Sequence, residues 1–335
     1  MAVRVGINGF GRIGRLVLRA AMADNQIEVV AVNNQAEARK LAYLLKYDSV
    51  HGRYPGTVSH TQNAMVVDGR EIGVCTIKDP AQLPWKALKV EIVVDCTGVF
   101  TDVEGASLHL RAGAERVVIS APVKGDAPTV VMGINDHILR PEHRVISNGS
   151  CTTNCLAPMA RVLHDAFGIE KGLMTTMHAY TRDQKLVDAH HPDLRRGRAA
   201  GLSMAPTTTG AASGVGAVIP ELRGRLDGMA VRVPIADGSL VDLVALVQKG
   251  ASVEAVNGAF REAADGKLKG ILEYSEDPLV SADVIGNPHS CVFDADSTMA
   301  LGGNLVKVCG WYDNEWGYAN RCVDLIKRLK AITKR

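Results

Sequence analysis

The sequence predicts an α/β protein of two domains, the first a doubly wound parallel sheet and the second α+β with a mixed or antiparallel sheet. Three observations predict this class. The 335 residues exceed what one hydrophobic core normally organises. The first half alternates Val/Ile-rich runs with segments of helical spacing, which is typical of parallel strands joined by helices. A glycine-rich turn follows the first apolar run, and after about residue 149 the strand-like segments become longer and no longer alternate regularly with helices.

The first domain is predicted over residues 1–150. Val3–Asn8 and Ile27–Val32 are strand-like runs, and the segment between them, Arg12–Ala23, carries its apolar residues on one helical face. Further strands are predicted at four β-branched runs: Ile92–Asp95, Val117–Ile119, Val130–Met132 and Val145–Ser147.

The second domain is predicted over residues 151–315. Its longer strand-like segments are Met229–Pro234, Ser239–Val247 and Leu305–Tyr312, and they mix with helices such as Val253–Ala264. The final segment, 316–335, has an apolar helical stripe, so we expect a helix that packs back on the first domain.

Composition argues against several classes of protein. A formal net charge of +2 gives no field that would favour nucleic acid or an anionic membrane. No apolar run reaches the roughly 18–20 residues of a membrane-spanning helix, and the first residues read as a strand rather than a signal peptide. Seven scattered cysteines indicate reduced thiols rather than a disulfide framework. We therefore expect a cytoplasmic protein.

A dinucleotide site is predicted at Gly9-Phe10-Gly11-Arg12-Ile13-Gly14. The GxGxxG run follows a strand and opens a helix, whose N-terminal amides suit a pyrophosphate. This is the Rossmann arrangement, in which an acid about 20 residues further on usually holds the ribose of NAD. Here Asn33-Asn34-Gln35 has no acid. Since an amide does not repel a 2′-phosphate, the hypothesis is that NADP is accepted and even preferred.

A cysteine nucleophile is predicted at Cys151. The run 147–155 follows a strand and precedes an apolar helix, so Cys151 lies near a helix N-terminus that favours the thiolate needed to attack an aldehyde. Cys155, one turn deeper, is predicted to be a packing residue. No second Cys or His pair completes a metal site, so none is expected. Among ten histidines His178 is the best candidate base, although any single His can be a surface or core residue.

Several blocks resemble the glyceraldehyde-3-phosphate dehydrogenase family. Residues 8–15 resemble its N-terminal signature, and Ser150-Cys151-Thr152-Thr153-Asn154-Cys155 resembles its active-site signature. Segments 45–49, 206–212 and 311–315 are similar to further family blocks. The resemblance runs from residue 3 to about 328, and the cysteine block is highly specific.

The resemblance implies a role for each matching residue. Cys151 is the implied nucleophile and His178 the implied acid/base. The residues implied to bind inorganic phosphate are Ser150, Thr152, Thr209 and Gly210, with Arg196 recruiting it, and those implied to hold the sugar phosphate are Thr181 and Arg232. Without the resemblance, Arg196 and Arg232 would be interpreted as surface residues or as members of structural ion pairs. The implied cofactor residues are Gly9, Gly11, Arg12, Ile13, Gly14, Asn34, Lys78, Ser120 and Asn314.

The implied reaction is the reversible oxidative phosphorylation of D-glyceraldehyde 3-phosphate to 1,3-bisphosphoglycerate through a Cys151 thioester, in a homotetramer. Ala189-His190 replaces a Leu-Pro pair of NAD-specific members and so favours NADP, as Asn34 does. Three alternatives stay open: an erythrose-4-phosphate dehydrogenase, a non-phosphorylating aldehyde dehydrogenase, and a protein that mainly binds RNA or a surface partner.

Overall fold

The computed structural model describes residues 2–333, with Thr333 described by its backbone alone. Two compact units result. The first comprises the chain up to Val130, Asp136–Gly149 and the chain from Ala319 on, and the second comprises Val131–Asn135 and Ser150–Tyr318. Residues 131–135 fall in the second unit although the sequence predicted 1–150 as one domain. The reason is apolar packing, since Val131 belongs to the core of the second unit and Ile134 packs against it.

The first unit contains an eight-stranded sheet. Its strands are β1 (Val3–Asn8), β2 (Ile27–Asn33), β3 (Val58–His60), β4 (Ala64–Val67), β5 (Arg70–Cys75), β6 (Ile92–Asp95), β7 (Arg116–Ile119) and β8 (Val145–Ser147). They lie in the order β3-β4-β5-β2-β1-β6-β7-β8. All pairs from β5 to β8 are parallel, and β3, β4 and β5 form an antiparallel edge that the sequence analysis did not predict. The predicted parallel sheet is confirmed.

The strand predicted at Val130–Met132 is wrong. Thr129 forms one isolated bridge with Ser147, and the Val130 amide donates to the Ser147 carbonyl at 2.8 Å, but no strand follows. Val130 and Val131 are both fully buried. The β-branched run therefore marked burial correctly, but Val131 already belongs to the core of the other unit, so the chain does not continue along β8.

The second unit contains a seven-stranded mixed sheet. Its strands are β9 (Ile169–Ala179), β10 (Ala205–Thr208), β11 (Leu226–Val233), β12 (Ser239–Val247), β13 (Leu272–Ser275), β14 (Cys291–Leu301) and β15 (Leu305–Tyr312). The order is β10-β11-β9-β12-β15-β14-β13, parallel at β11/β9 and β14/β13 and antiparallel elsewhere. Strand β12 alternates strictly, and its buried Val241, Leu243 and Ala245 lie in the core cluster of this unit.

The helices are α1 (Arg12–Met22), α2 (Ala38–Lys46), α3 (Val103–Arg111), α4 (Cys151–Phe167), α5 (Ala211–Val218), α6 (Val253–Asp265) and α7 (Trp316–Thr333). Within the first unit, α7 makes ion pairs from Lys327 to Asp24 at 3.1 Å and from Lys330 to Glu91 at 2.6 Å. Of its predicted apolar stripe, Cys322, Leu325, Ile326 and Leu329 are fully buried and Ile332 is half-buried, while the last two residues of the predicted segment, 334–335, lie outside the described range.

Candidate active site

Four polar side chains lie at the same end of four adjacent strands of the second sheet. Strands β9 and β11 are parallel, so His178 and Arg232 stand opposite each other near their carboxyl ends. Strand β12 runs antiparallel to both its neighbours and begins at this end of the sheet with Ser239, which pairs with Tyr312 at the end of β15. The topology of this unit therefore brings together residues from four separate strands.

Cys151 is the first residue of α4, as the sequence predicted. Ser150 caps the helix, because its Oγ accepts the Thr153 amide at 3.0 Å. The chain reaches this cap through Gly149, whose φ of 64° is a left-handed conformation that favours glycine. Cys155 is fully buried and packs in the core, as predicted. The cap fixes Cys151 at the start of α4.

The Cys151 sulfur lies 3.4 Å from Nε2 of His178. The other ring nitrogen, Nδ1, lies 2.7 Å from the Ala179 carbonyl oxygen and 2.7 Å from Nη1 of Arg232. The side chain of His178 is 5 % exposed, and this burial, together with the positive charge of Arg232, lowers its pKa to about 3. The ring is therefore neutral at physiological pH, which a general base requires.

Burial raises the pKa of the Cys151 thiol above its ordinary value, and the charge of Arg232 and the hydrogen bonds of Thr152 oppose that shift. The sequence analysis expected the helix N-terminus to favour the thiolate. In the structure desolvation is the larger influence, so the resting group is a thiol. A neighbouring base that accepts its proton is then needed, and His178 is the residue in reach.

Tyr312 is a site residue that the sequence analysis missed. Its hydroxyl lies 2.9 Å from the hydroxyls of both Thr152 and Thr176, and its ring meets the His178 ring edge-on at 6.0 Å. It is fully buried and so fixes α4 and β9 relative to each other. The only signal in the sequence was its place in the block 311–315.

The predicted phosphate residues lie in three places. Arg196 donates to Asp183 at 2.6 Å and to Thr207 at 3.0 Å, so it is already part of an ion-pair network. Thr209 and the exposed Gly210 precede α5, where the N-cap Gly210 has no side chain and the Thr209 hydroxyl accepts the Ala211 amide at 3.2 Å. Thr181, two residues beyond β9, is half-buried.

The glycine turn of the first unit leaves the start of α1 open. The N-cap is Gly11, which offers no side chain to the first-turn amides, whereas α3, α4 and α6 are all capped by side chains. A methyl group at Gly11 would meet nothing within 4 Å. A helix start without a side-chain cap and beside open space fits a pyrophosphate. The Arg12 guanidinium pairs with Asp48 at 3.1 Å.

We expect Gly14→Ala to lower the stability of the protein. A Cβ at Gly14 would lie 2.2 Å from the Gly9 carbonyl oxygen, a backbone atom that cannot swing away. The overpacking should cost about 1–3 kcal/mol and lower Tm by several degrees in thermal unfolding. Gly11→Ala is the matched control and should leave Tm unchanged, because its methyl group enters open space. Equal Tm values for the two variants would contradict this account of the turn.

The remaining predicted cofactor residues occupy two regions. Asn34 is half-buried at the end of β2, where Asn33 binds the Ile77 backbone through its Nδ2 at 2.9 Å and its Oδ1 at 3.0 Å. These two hydrogen bonds hold the segment that carries the exposed Lys78. The Ser120 amide donates to the Asp95 carbonyl at 2.9 Å. In the second unit, Asn314 accepts a hydrogen bond from Ser239 at 2.6 Å, which leaves its Nδ2 for another partner.

Comparison with known proteins identifies this arrangement. Residues 3–103 match the family described as glyceraldehyde 3-phosphate dehydrogenase, NAD binding domain, and residues 150–314 match the corresponding C-terminal domain. The chain belongs to the glyceraldehyde-3-phosphate dehydrogenase family. It is 58 % identical over 326 residues to the glyceraldehyde-3-phosphate dehydrogenase of Geobacillus stearothermophilus, with 97 % of each chain covered. It is 55 % identical over 332 residues to that of Priestia megaterium, with 99 % of each covered.

A third glyceraldehyde-3-phosphate dehydrogenase, number 1 of Bacillus subtilis, is 56 % identical over 326 residues, or 97 % of each chain. The resemblance noted from residues 8–15 and 150–155 is thereby confirmed. The predicted fold, a dinucleotide-binding unit and a catalytic unit with a mixed sheet, is also confirmed. Among the described residues no helix is long and apolar enough to cross a membrane.

Proposed function

We propose that the protein catalyses the reversible oxidative phosphorylation of D-glyceraldehyde 3-phosphate with a nicotinamide cofactor. The observation that carries this proposal is the 3.4 Å approach of the Cys151 sulfur to His178 Nε2, with Arg232 on the far side of the ring. A thiol, a neutral base and a guanidinium lie together at one end of the sheet. These are the groups that covalent catalysis on a phosphorylated aldehyde requires.

Cys151 attacks the aldehyde carbon and gives its proton to Nε2 of His178, and a hemithioacetal forms. The protonated ring then donates to the oxygen that developed negative charge, and the same nitrogen afterwards takes the hydroxyl proton as the carbonyl re-forms. A thioester on Cys151 results. Tyr312 holds the two reacting side chains in place through its hydrogen bonds to α4 and β9.

The nicotinamide cofactor, when bound, accepts the hydride that leaves the hemithioacetal carbon. The first-turn amides of α1, which no N-cap side chain covers, would hold its pyrophosphate, and the Nδ2 of Asn314 would hold its carboxamide. Asn34, Lys78 and Ser120 would bind the adenosine side.

Two sets of residues would handle the phosphate groups. Thr181 and Arg232 would bind the phosphate of the aldehyde, while Ser150, Thr152, Thr209, Gly210 and Arg196 would bring inorganic phosphate to the thioester. The forked guanidinium matches two phosphate oxygens at once, and the start of α5, whose N-cap Gly210 has no side chain, would add backbone amides. Phosphate rather than water then releases the acyl group.

Initial rates test this reaction. The expected result is cofactor reduction with D-glyceraldehyde 3-phosphate that continues only when inorganic phosphate is present, and a much slower rate with D-erythrose 4-phosphate. Sustained reduction without phosphate would instead indicate hydrolysis of the thioester. Faster turnover of the four-carbon aldehyde would move the proposal to that substrate.

We further propose that NADP is accepted, and preferred, at the end of β2. Asn34 places no negative charge there, and Lys78 lies on the segment clamped beside it. Asn34→Asp should lower kcat/KM for NADP by about tenfold or more, because a carboxylate repels the 2′-phosphate. The same change should preserve or raise kcat/KM for NAD, since a carboxylate accepts the ribose 2′-hydroxyl.

The matched control for this cofactor prediction is Gln35→Glu, which adds the same charge at the next, exposed position. It should change the NADP/NAD ratio much less than Asn34→Asp. Equal effects at both positions would mean that general charge, rather than contact at Asn34, sets the preference, and a wild-type preference for NAD would overturn the NADP proposal itself.

A homotetramer in the cytoplasm is the proposed working form. The segment from 186 to 204 exposes large apolar side chains, among them Leu186 at 89 % and Leu202 at 87 % exposure. So many apolar side chains within one segment favour burial against another copy of the chain. All seven cysteines are free thiols, which suits a reducing compartment.

A further inference from the structure

The Nδ1 atom of His178 has two neighbours that make opposite demands. The Ala179 carbonyl oxygen, 2.7 Å away, can only accept a hydrogen bond. Nη1 of Arg232, also 2.7 Å away, can only donate one. A neutral imidazole carries one proton, so Nδ1 can satisfy either neighbour but not both.

Each choice fixes what Cys151 meets at the other end of the ring. If Nδ1 donates to Ala179, then Nε2 has a lone pair and can take the thiol proton. If Nδ1 accepts from Arg232, then Nε2 carries the proton and faces the sulfur as a donor, so it cannot act as a base. The bond from the charged guanidinium is the stronger of the two, so Arg232 at its present position favours the second form.

Arg232 is itself incompletely bonded at this position. Among the described residues, its buried Nε has no hydrogen-bond partner, and besides His178 its Nη1 contacts the Ala179 carbonyl at 3.1 Å. The positive charge of the nearby Arg196 also lowers the pKa of the Arg232 guanidinium, after the larger effect of burial. An anion bound here would satisfy the free N–H and offset the repulsion between the two arginines, so it would draw the guanidinium away from the ring.

We propose that binding of the substrate phosphate by Arg232 switches the tautomer of His178 and thereby prepares the base. This inference rests on the proposed function, in which Arg232 is a ligand of the aldehyde's phosphate. In the free enzyme the ring proton is on Nε2. When Arg232 turns to the phosphate, Nδ1 donates to Ala179 and Nε2 becomes the acceptor for the Cys151 proton. Arg232 is thus both a phosphate ligand and a positioning residue for the base.

The switch has a direct spectroscopic test. Protein labelled with [δ1-¹⁵N]histidine is measured by solid-state ¹⁵N NMR, in which protonated and bare ring nitrogens are well separated, and His178→Asn assigns the signal. Without ligand, Nδ1 of His178 is expected to be bare. With saturating sn-glycerol 3-phosphate, a phosphate ester that lacks the aldehyde, it is expected to be protonated.

Two variants connect the signal to Arg232. Arg232→Ala should give a protonated Nδ1 with or without the ester, because the competing donor is gone. Arg195→Ala removes an exposed arginine that precedes Arg196 in the sequence, and it should respond like the wild type. If Arg232 only bound phosphate or only supported the fold, ligand binding would not move the proton on the His178 ring. The comparison of wild-type protein with and without the ester tests the switch even if Arg232→Ala does not fold.

A kinetic measurement gives the second readout. In single turnovers without inorganic phosphate, oxidation of unphosphorylated D-glyceraldehyde should accelerate about tenfold or more when phosphite dianion is added, a part of the roughly 10²–10⁴-fold that a general base supplies. Arg232→Ala should lose this acceleration.

The outcomes separate the switch from the proposed function. If sn-glycerol 3-phosphate competes with the aldehyde substrate but the Nδ1 signal stays unchanged, the switch is wrong and the proposed reaction stands. If the ester does not compete and glyceraldehyde 3-phosphate is not oxidised, both are wrong.

Discussion

Cys151→Ala is expected to lower kcat for glyceraldehyde 3-phosphate by about 10⁵–10⁶-fold, the scale of loss when a covalent nucleophile is removed from other enzymes. The sulfur lies at the capped start of α4 and 3.4 Å from the base, and no other thiol of the described chain shares this position. The change is measured as steady-state turnover together with the burst of cofactor reduction in the absence of phosphate, which should disappear entirely.

The matched control is Cys155→Ala, four residues along the same helix. Cys155 is fully buried among apolar residues, so its replacement should lower Tm and leave kcat within a few-fold of the wild type. Residual burst activity in Cys151→Ala, or comparable losses in the two variants, would contradict the assignment of the nucleophile.

His178→Asn is expected to lower kcat by about 10²–10⁴-fold and to change its dependence on pH. The pKa of His178 is lowered to about 3, so the wild-type ring is neutral across the physiological range. Without it, Cys151 reacts only as the free thiolate. Because burial raises the pKa of that thiol, the rate of the variant should rise steadily with pH until this raised pKa is passed.

A pH–rate profile of acylation, compared with that of the wild type, measures this change. His60→Asn, at an exposed position, serves as the control and should match the wild type. A parallel profile, lower at every pH by the same factor, would mean that His178 does not take the thiol proton.

Local patterns sufficed to predict much of this molecule. The glycine turn predicted the start of α1, and the run after β8 predicted a helix beginning at Cys151. These features depend on residues that are close in sequence, where turn chemistry and helix capping act directly. The β-branched run at Val130–Met132 failed because burial and strand formation leave the same signature in a sequence.

Other features depend on partners far apart in the chain. The contact of His178 with Arg232 spans 54 residues, and that of Thr152 with Tyr312 spans 160. No periodicity encodes such pairs, because they follow from the order of strands in the sheet. The raised pKa of Cys151 was missed for a related reason, since the helix terminus is visible in the sequence and the surrounding desolvation is not.

Mass spectrometry of the acylated protein tests the central claim most directly. The protein is mixed with glyceraldehyde 3-phosphate and an excess of oxidised cofactor without phosphate, quenched in acid, digested and sequenced. One phosphoglyceryl group per chain should be found on Cys151, and it should be lost within a turnover time once inorganic phosphate is added. An unmodified Cys151 alongside reduced cofactor, or an acyl group on another residue, would contradict the thioester mechanism.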